Sequence, residues 1–221
     1  MSSTVRLRVV VLAVALAVWG RGEIASATPI SDPGGDFVAT FLGAPHGAFD
    51  VISADGTFDG TTFHLSATLA AAVSTAPAGS VPLYVWGINT GTGVLNFANI
   101  GNPNVQFNTV ATLNAAGVTS NPAAFVGSIN GNLIAIDIPL SALPPSTGFA
   151  PADYLWNLWP RDTSAPVAPQ PVGNATAISD FAPNNAMARF TPVPEPSTLC
   201  LLGLGLAGAA RRARQRRQHS A

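Results

Sequence analysis

Five aspartates fall within the stretch 32–59: Asp32, Asp36, Asp50, Asp55 and Asp59. Calcium takes six to eight oxygen ligands, and carboxylates beside glycine turns such as Asp32-Pro33-Gly34-Gly35-Asp36 supply them. The spacing is not that of an EF-hand, which needs a D-x-D-x-D-G run followed by a bidentate Glu. Aspartate and glycine are also the ordinary residues of turns. Two readings stand: a structural calcium site, or plain turn chemistry. Trp86, Trp156 and Trp159 form a second group. An exposed indole can stack on a sugar ring; a buried one contributes 150–250 Å² to a core. Trp159, beside Pro160-Arg161-Asp162, is the best placed of the three for sugar contact. Signs of catalysis are sparse. No G-x-S-x-G elbow occurs. His46 and His64 lack the paired spacing of metal ligands. Only aspartates could form the carboxylate pair of a glycoside hydrolase. The chain is expected not to be an enzyme.

The elements that must position these groups read as β. Over 61–70, Phe63, Leu65, Ala67 and Leu69 alternate with Thr62, His64, Ser66 and Thr68, the period of a half-buried strand. Residues 105–113 alternate likewise. Asn130-Gly131 marks a hairpin between 124–129 and 132–138. Further strands are predicted at 37–42, 48–54, 81–88 and 154–159, with a weaker one at 177–181. Short strands separated by turn residues predict an all-β fold, an antiparallel β-sandwich of jelly-roll or immunoglobulin-like type. The sandwich is placed at 28–183 and a polar, proline-containing linker at 184–193.

Composition narrows the partners. Between residues 28 and 193 there are two arginines, Arg161 and Arg189, no lysine, and nine acids, all aspartate, for a formal charge of −7. Such a surface repels nucleic acid and anionic lipid. The single cysteine, Cys200, lies outside this region, so no disulfide is expected in the domain.

Both ends of the chain carry addresses. Residues 1–27 have an Arg6/Arg8 n-region, a short apolar h-region and an Ala25-Ser26-Ala27 cleavage site, the pattern of a secretory signal peptide. The other end runs Pro194-Glu195-Pro196, an apolar stretch over 199–210, then Arg211, Arg212, Arg214, Arg216 and Arg217. The prolines enforce an extended strip before the apolar helix. That helix is only roughly 18 Å long, short of a bilayer core of about 30 Å, and the arginines hold its end in the cytoplasm.

The segment 194–217 resembles the PEP-CTERM sorting signal of Gram-negative bacteria that make exopolysaccharide. The resemblance implies the general secretion machinery and an exosortase as partners. It also implies transient residence in the inner membrane through a short C-terminal transmembrane helix, then release to the cell surface or extracellular matrix. Residues 32–37, 49–54 and 58–65 are similar to the first strands of DOMON-like and carbohydrate-binding β-sandwiches, which implies a ligand-binding domain. The expectation is therefore an exported protein whose domain associates with exopolysaccharide. The alternatives are a self-associating biofilm matrix protein and a hydrolase of matrix polymers.

Overall fold

A computed structural model describes residues 29–146 and 148–193, with Gly205 beyond them. Residues Ala27–Pro192 form one compact unit. In chain order the strands are β1 (Ile30–Ser31), β2 (Val51–Phe58), β3 (Thr62–Leu69), β4 (Pro82–Asn89), β5 (Leu95–Phe97) and β6 (Asn102–Phe107). They continue with β7 (Thr109–Asn114), β8 (Val126–Asn130), β9 (Leu133–Pro139), β10 (Leu155–Asp162), β11 (Ala188–Arg189) and β12 (Thr191–Pro192).

The fold is the predicted all-β, mostly antiparallel sandwich. One sheet runs β1-β2-β3-β9-β8, with β12 added in parallel to β2; the other runs β11-β10-β4-β7. Alternation explains the first sheet. Phe63, Leu65, Ala67 and Leu69 point inward from β3, and Ile134, Ile136 and Ile138 do so from β9. They meet Tyr84, Trp86, Ile88, Trp156 and Leu158 of the second sheet in one core.

The second sheet is buried on both faces. A smaller core of Val85, Ile100, Val105, Phe107, Trp159, Ile178 and Phe181 lies on its other side, built partly by the β5–β6 hairpin. This is why β4 and β10 read as almost unbroken apolar runs, Leu83–Ile88 and Leu155–Trp159, instead of alternating.

Several predicted elements shift. The stretch 37–42 forms turns, and 177–181 makes only one isolated bridge, Ile178 with Arg161, with a second just beyond it, Ala182 with Leu158. The hairpin loop is Gly131-Asn132, because Asn130 pairs with Leu133; Gly131 alone takes positive φ (63°), the pattern of a type II′ turn. The linker placed at 184–193 is corrected. Within it, β11 pairs with β10 and β12 with β2, because Phe190 sits 4.6 Å from the Phe63 ring and is 2% exposed. Burying one phenylalanine contributes roughly 1.5–3 kcal/mol, enough to hold a short polar segment against the domain.

Among the described residues no helix is long and apolar enough to cross a membrane. The signal peptide with its Ala25 and Ala27 cleavage residues lies outside the described residues, as does the apolar segment 199–210 apart from Gly205.

Candidate functional site

Three of the five early aspartates converge, and a fourth joins them from far along the chain. Asp32 follows β1, and Asp36 closes the turn begun by Pro33. Asp50 ends the 3-10 turn Gly47–Phe49, and Asp180 lies in the segment after the 3-10 turn Gly173–Ala177. Asp32, Asp36 and Asp180 each place a carboxylate oxygen within 4.8 Å of the others. Backbone bonds fix this meeting: Asp32 N–H donates to Ile52 O (3.1 Å), and Val38 N–H donates to Ser179 O (2.8 Å). Asp180 is anchored by the N–H groups of Val51 (2.8 Å) and Phe181 (2.7 Å). Asp50 accepts from Gly35 N–H at 2.9 Å, and Asp36 accepts from Asn184 Nδ2.

The cluster is deeply withdrawn. Asp180 is 0% exposed, Asp50 6% and Asp32 7%. Three carboxylate oxygens, Asp32 Oδ2, Asp36 Oδ1 and Asp50 Oδ1, are buried without a hydrogen-bond donor among the described residues. Among the described residues no arginine compensates the charge. Arg189 pairs with Asp153 (3.1 Å), and Arg161 donates to Asn174 O (3.0 Å). Burial first, then the charges of Asp180, Asp36 and Asp50, push the Asp32 carboxyl up to about 8. Burial also raises Asp180 to about 7, against the bond from Val51. Asp50 is raised by burial in the same way, with the Gly35 bond opposing. Two chemistries relieve such a cluster: protons, or a cation bound by oxygen. A polysaccharide chain cannot reach carboxylates so covered.

Asp55 and Asp59 do not belong to the group. Asp55 faces outward on β2 opposite Ser66. Asp59 organises the β2–β3 turn: its Oδ1 accepts from Thr61 N–H and Thr62 N–H, both at 2.8 Å. Its Oδ2 lies 3.1 Å from His64 Nε2, while His64 Nδ1 lies 2.8 Å from Asp137 Oδ1. Asp180 was missed because it stands 130 positions from Asp50, in a stretch, Ile178-Ser179-Asp180-Phe181, that reads as a weak strand.

The His64 pair sets a pH dependence. Burial works against the His64 charge, but the bonds to Asp137 and Asp59 outweigh it and raise the group above its ordinary 6.5. Its support for folding is therefore full below pH 6.5 and is lost as pH rises through the raised value. Asp59, held below 3.8 foremost by the N–H groups of Thr61 and Thr62, supports folding above pH 3.8 and loses that support on acidification. The trio contributes most between about pH 4 and 6.5. The His64 side chain is 41% exposed, so solvent screening keeps the effect to about 1 kcal/mol or less. His64→Gln is expected to flatten the decline in Tm between pH 6 and 8.5. An unchanged pH profile of thermal unfolding would refute the pairing.

The indole platform is corrected. Trp86, Trp156 and Trp159 are 0%, 1% and 2% exposed. Trp156 lies over Gly56 of the facing sheet, where a Cβ would stand 2.3 Å from Nε1. Trp159 lies against Gly87 and contacts the rings of Phe97 and Phe107 at 5.0 and 4.9 Å. Glycine hollows admit the rings, and their burial outweighs any role at the surface. Among the described residues no aromatic side chain is solvent-exposed; Phe37, Phe41, Phe97 and Phe149 are half-buried.

The other predicted site is the C-terminal address, Pro194, Glu195 and Pro196 with Arg211, Arg212, Arg214, Arg216 and Arg217, all outside the described residues. Here comparison with known families is informative: residues 192–217 match the PEP-CTERM protein-sorting motif. No curated protein and no solved structure matches the chain. Fold and motif together define an exported β-sandwich protein bearing a sorting signal. The motif implies recognition by an exosortase and a membrane-anchored sorting step.

Proposed function

We propose that the sandwich is a structural, non-catalytic component of the cell surface or extracellular matrix, delivered through exosortase sorting and built to associate with copies of itself. The observation that carries this reading is the withdrawal of chemistry from the surface. The domain attached to the sorting motif buries its indoles and its clustered carboxylates. The open edge of the larger sheet supports it as well. Strand β8, Val-Gly-Ser-Ile-Asn, carries no charge and no proline, and Val126 is 66% exposed. Sheet edges are ordinarily guarded by charge, proline or bulges, and an unguarded edge is a template for pairing.

Exopolysaccharide association rested on the resemblance to carbohydrate-binding sandwiches and on the three tryptophans, and the burial of the tryptophans weighs against it. Hydrolysis of matrix polymers needs carboxylates open to a cleft, and the clustered aspartates are covered. In the native host, the processed protein is expected in surface and matrix fractions, absent from the soluble cytosol. Sedimentation at rising concentration is expected to show association that Val126→Lys weakens at least tenfold. Saturable binding to host exopolysaccharide by a strictly monomeric protein would sink the proposal.

A further inference from the structure

We infer that Asp32, Asp36 and Asp180, with the buried Asp50 beside them, form a calcium site that clasps the segment after β1 to the segment before β11. The geometry carries this in four steps. Oxygens bound to one calcium at 2.3–2.6 Å lie at most about 5 Å apart; Asp32, Asp36 and Asp180 offer oxygens within 4.8 Å of one another. Asp32 and Asp50 are 7% and 6% exposed, and each holds an oxygen with no donor among the described residues. Leaving a buried charged acceptor unsatisfied is costly, and structures rarely tolerate three in one place.

The ligand chemistry is that of a hard cation. The three side chains that meet are all carboxylates. His46, the nearest histidine in sequence to Asp50, is occupied elsewhere: its Nδ1 accepts the Ala48 N–H at 3.1 Å. The oxygens of Asp180 hold backbone N–H groups through one lone pair each and keep another for a metal. An entry path exists. Asp36 is half-buried and Pro33, Gly34 and Gly35 are exposed, so an ion arrives from the turn side and keeps water on that face.

Titrating calcium chloride alone into the full chain, purified in mild detergent and stripped with EDTA, tests the inference. The expected result is one ion per chain with Kd on the order of 10⁻⁴–10⁻³ M or tighter, the range of extracellular modules. Tm is expected to rise by roughly 5–10 °C at a hundredfold excess over Kd. Magnesium chloride is expected to give a much smaller rise, because magnesium needs a tighter octahedron. Asp32→Asn is expected to melt higher than wild type in EDTA, through relief of repulsion, and to bind calcium at least tenfold more weakly. Asp36→Asn, at the half-buried rim, is expected to lose affinity likewise, and outward-facing Asp55→Asn to bind as wild type. No heat and no change in Tm at 10-fold the expected Kd would overturn the site. So would equal rises with the two metals, or unchanged affinity in both the Asp32 and Asp36 variants.

Discussion

Gly56→Val is expected to destabilise the domain by about 3 kcal/mol or more. An ideal Cβ at this position stands 2.3 Å from Trp156 Nε1 and 2.6 Å from its Cε2, well inside van der Waals contact. The indole has nowhere to retreat. It is 1% exposed, packs 6.3 Å from the Phe190 ring, and donates through Nε1 to Arg189 O at 3.3 Å. Overpacking of this kind costs typically 1–3 kcal/mol and occasionally more. The entropic gain from removing glycine returns only about 0.4–1 kcal/mol, so the clash wins. For a domain of this size the loss lowers Tm by roughly 6–12 °C. Trp156→Phe should make room, and a double-mutant cycle in thermal or urea unfolding is expected to show coupling of at least about 1 kcal/mol. Additive effects would mean that the ring and the glycine do not pack as described.

The second large effect concerns sorting. Replacing Pro194, Glu195 and Pro196 with alanine is expected to reduce C-terminal processing at least tenfold and to leave unprocessed chain in the inner membrane. Alanine permits helix at positions where proline disfavours it. Changing Arg211, Arg212, Arg214, Arg216 and Arg217 to glutamine should act differently. Carrying five arginines into the bilayer costs on the order of 12–17 kcal/mol on the insertion scale, while each leucine of the apolar stretch returns only about 0.3–0.6. Without that barrier the tail is expected to slip through and unprocessed protein to appear outside the inner membrane. Fractionation with terminal mass analysis separates the two outcomes. Normal processing in both variants would show that the motif is not used.

The strand pattern was legible wherever one face of a strand meets solvent. Over 62–69 the alternation of apolar and polar side chains is the fold written directly, because β3 has one dry face and one wet one. Where both faces are dry, over 81–88 and 154–159, the strands were still legible as apolar runs, but what covers their outer face was not. Alternation places Trp156 and Trp159 on opposite faces of their strand, but sequence does not say that a second layer covers the outer one. That layer comes from β5, β6 and the segment around Phe181, distant in the chain. The polar look of 184–193 hid one decisive residue, Phe190, whose burial carries two short strands with it. The aspartate cluster was half visible: the turn chemistry of Asp32, Asp36 and Asp50 is local, whereas Asp180 arrives through tertiary contact. Asp55 and Asp59 share the composition of the group but not its place, since strand alternation sends one outward and a hairpin claims the other.

Phe190 and the last strand also bear on what happens at the sorting motif. The final strand ends at Pro192 and the Pro-Glu-Pro triplet begins at Pro194, which leaves one valine as slack. An enzyme that grips the triplet of a finished domain has almost no leash to pull on. Any anchor at that point would hold the sandwich without a spacer, and lengthening the junction by a few glycines would change its reach while leaving every strand intact.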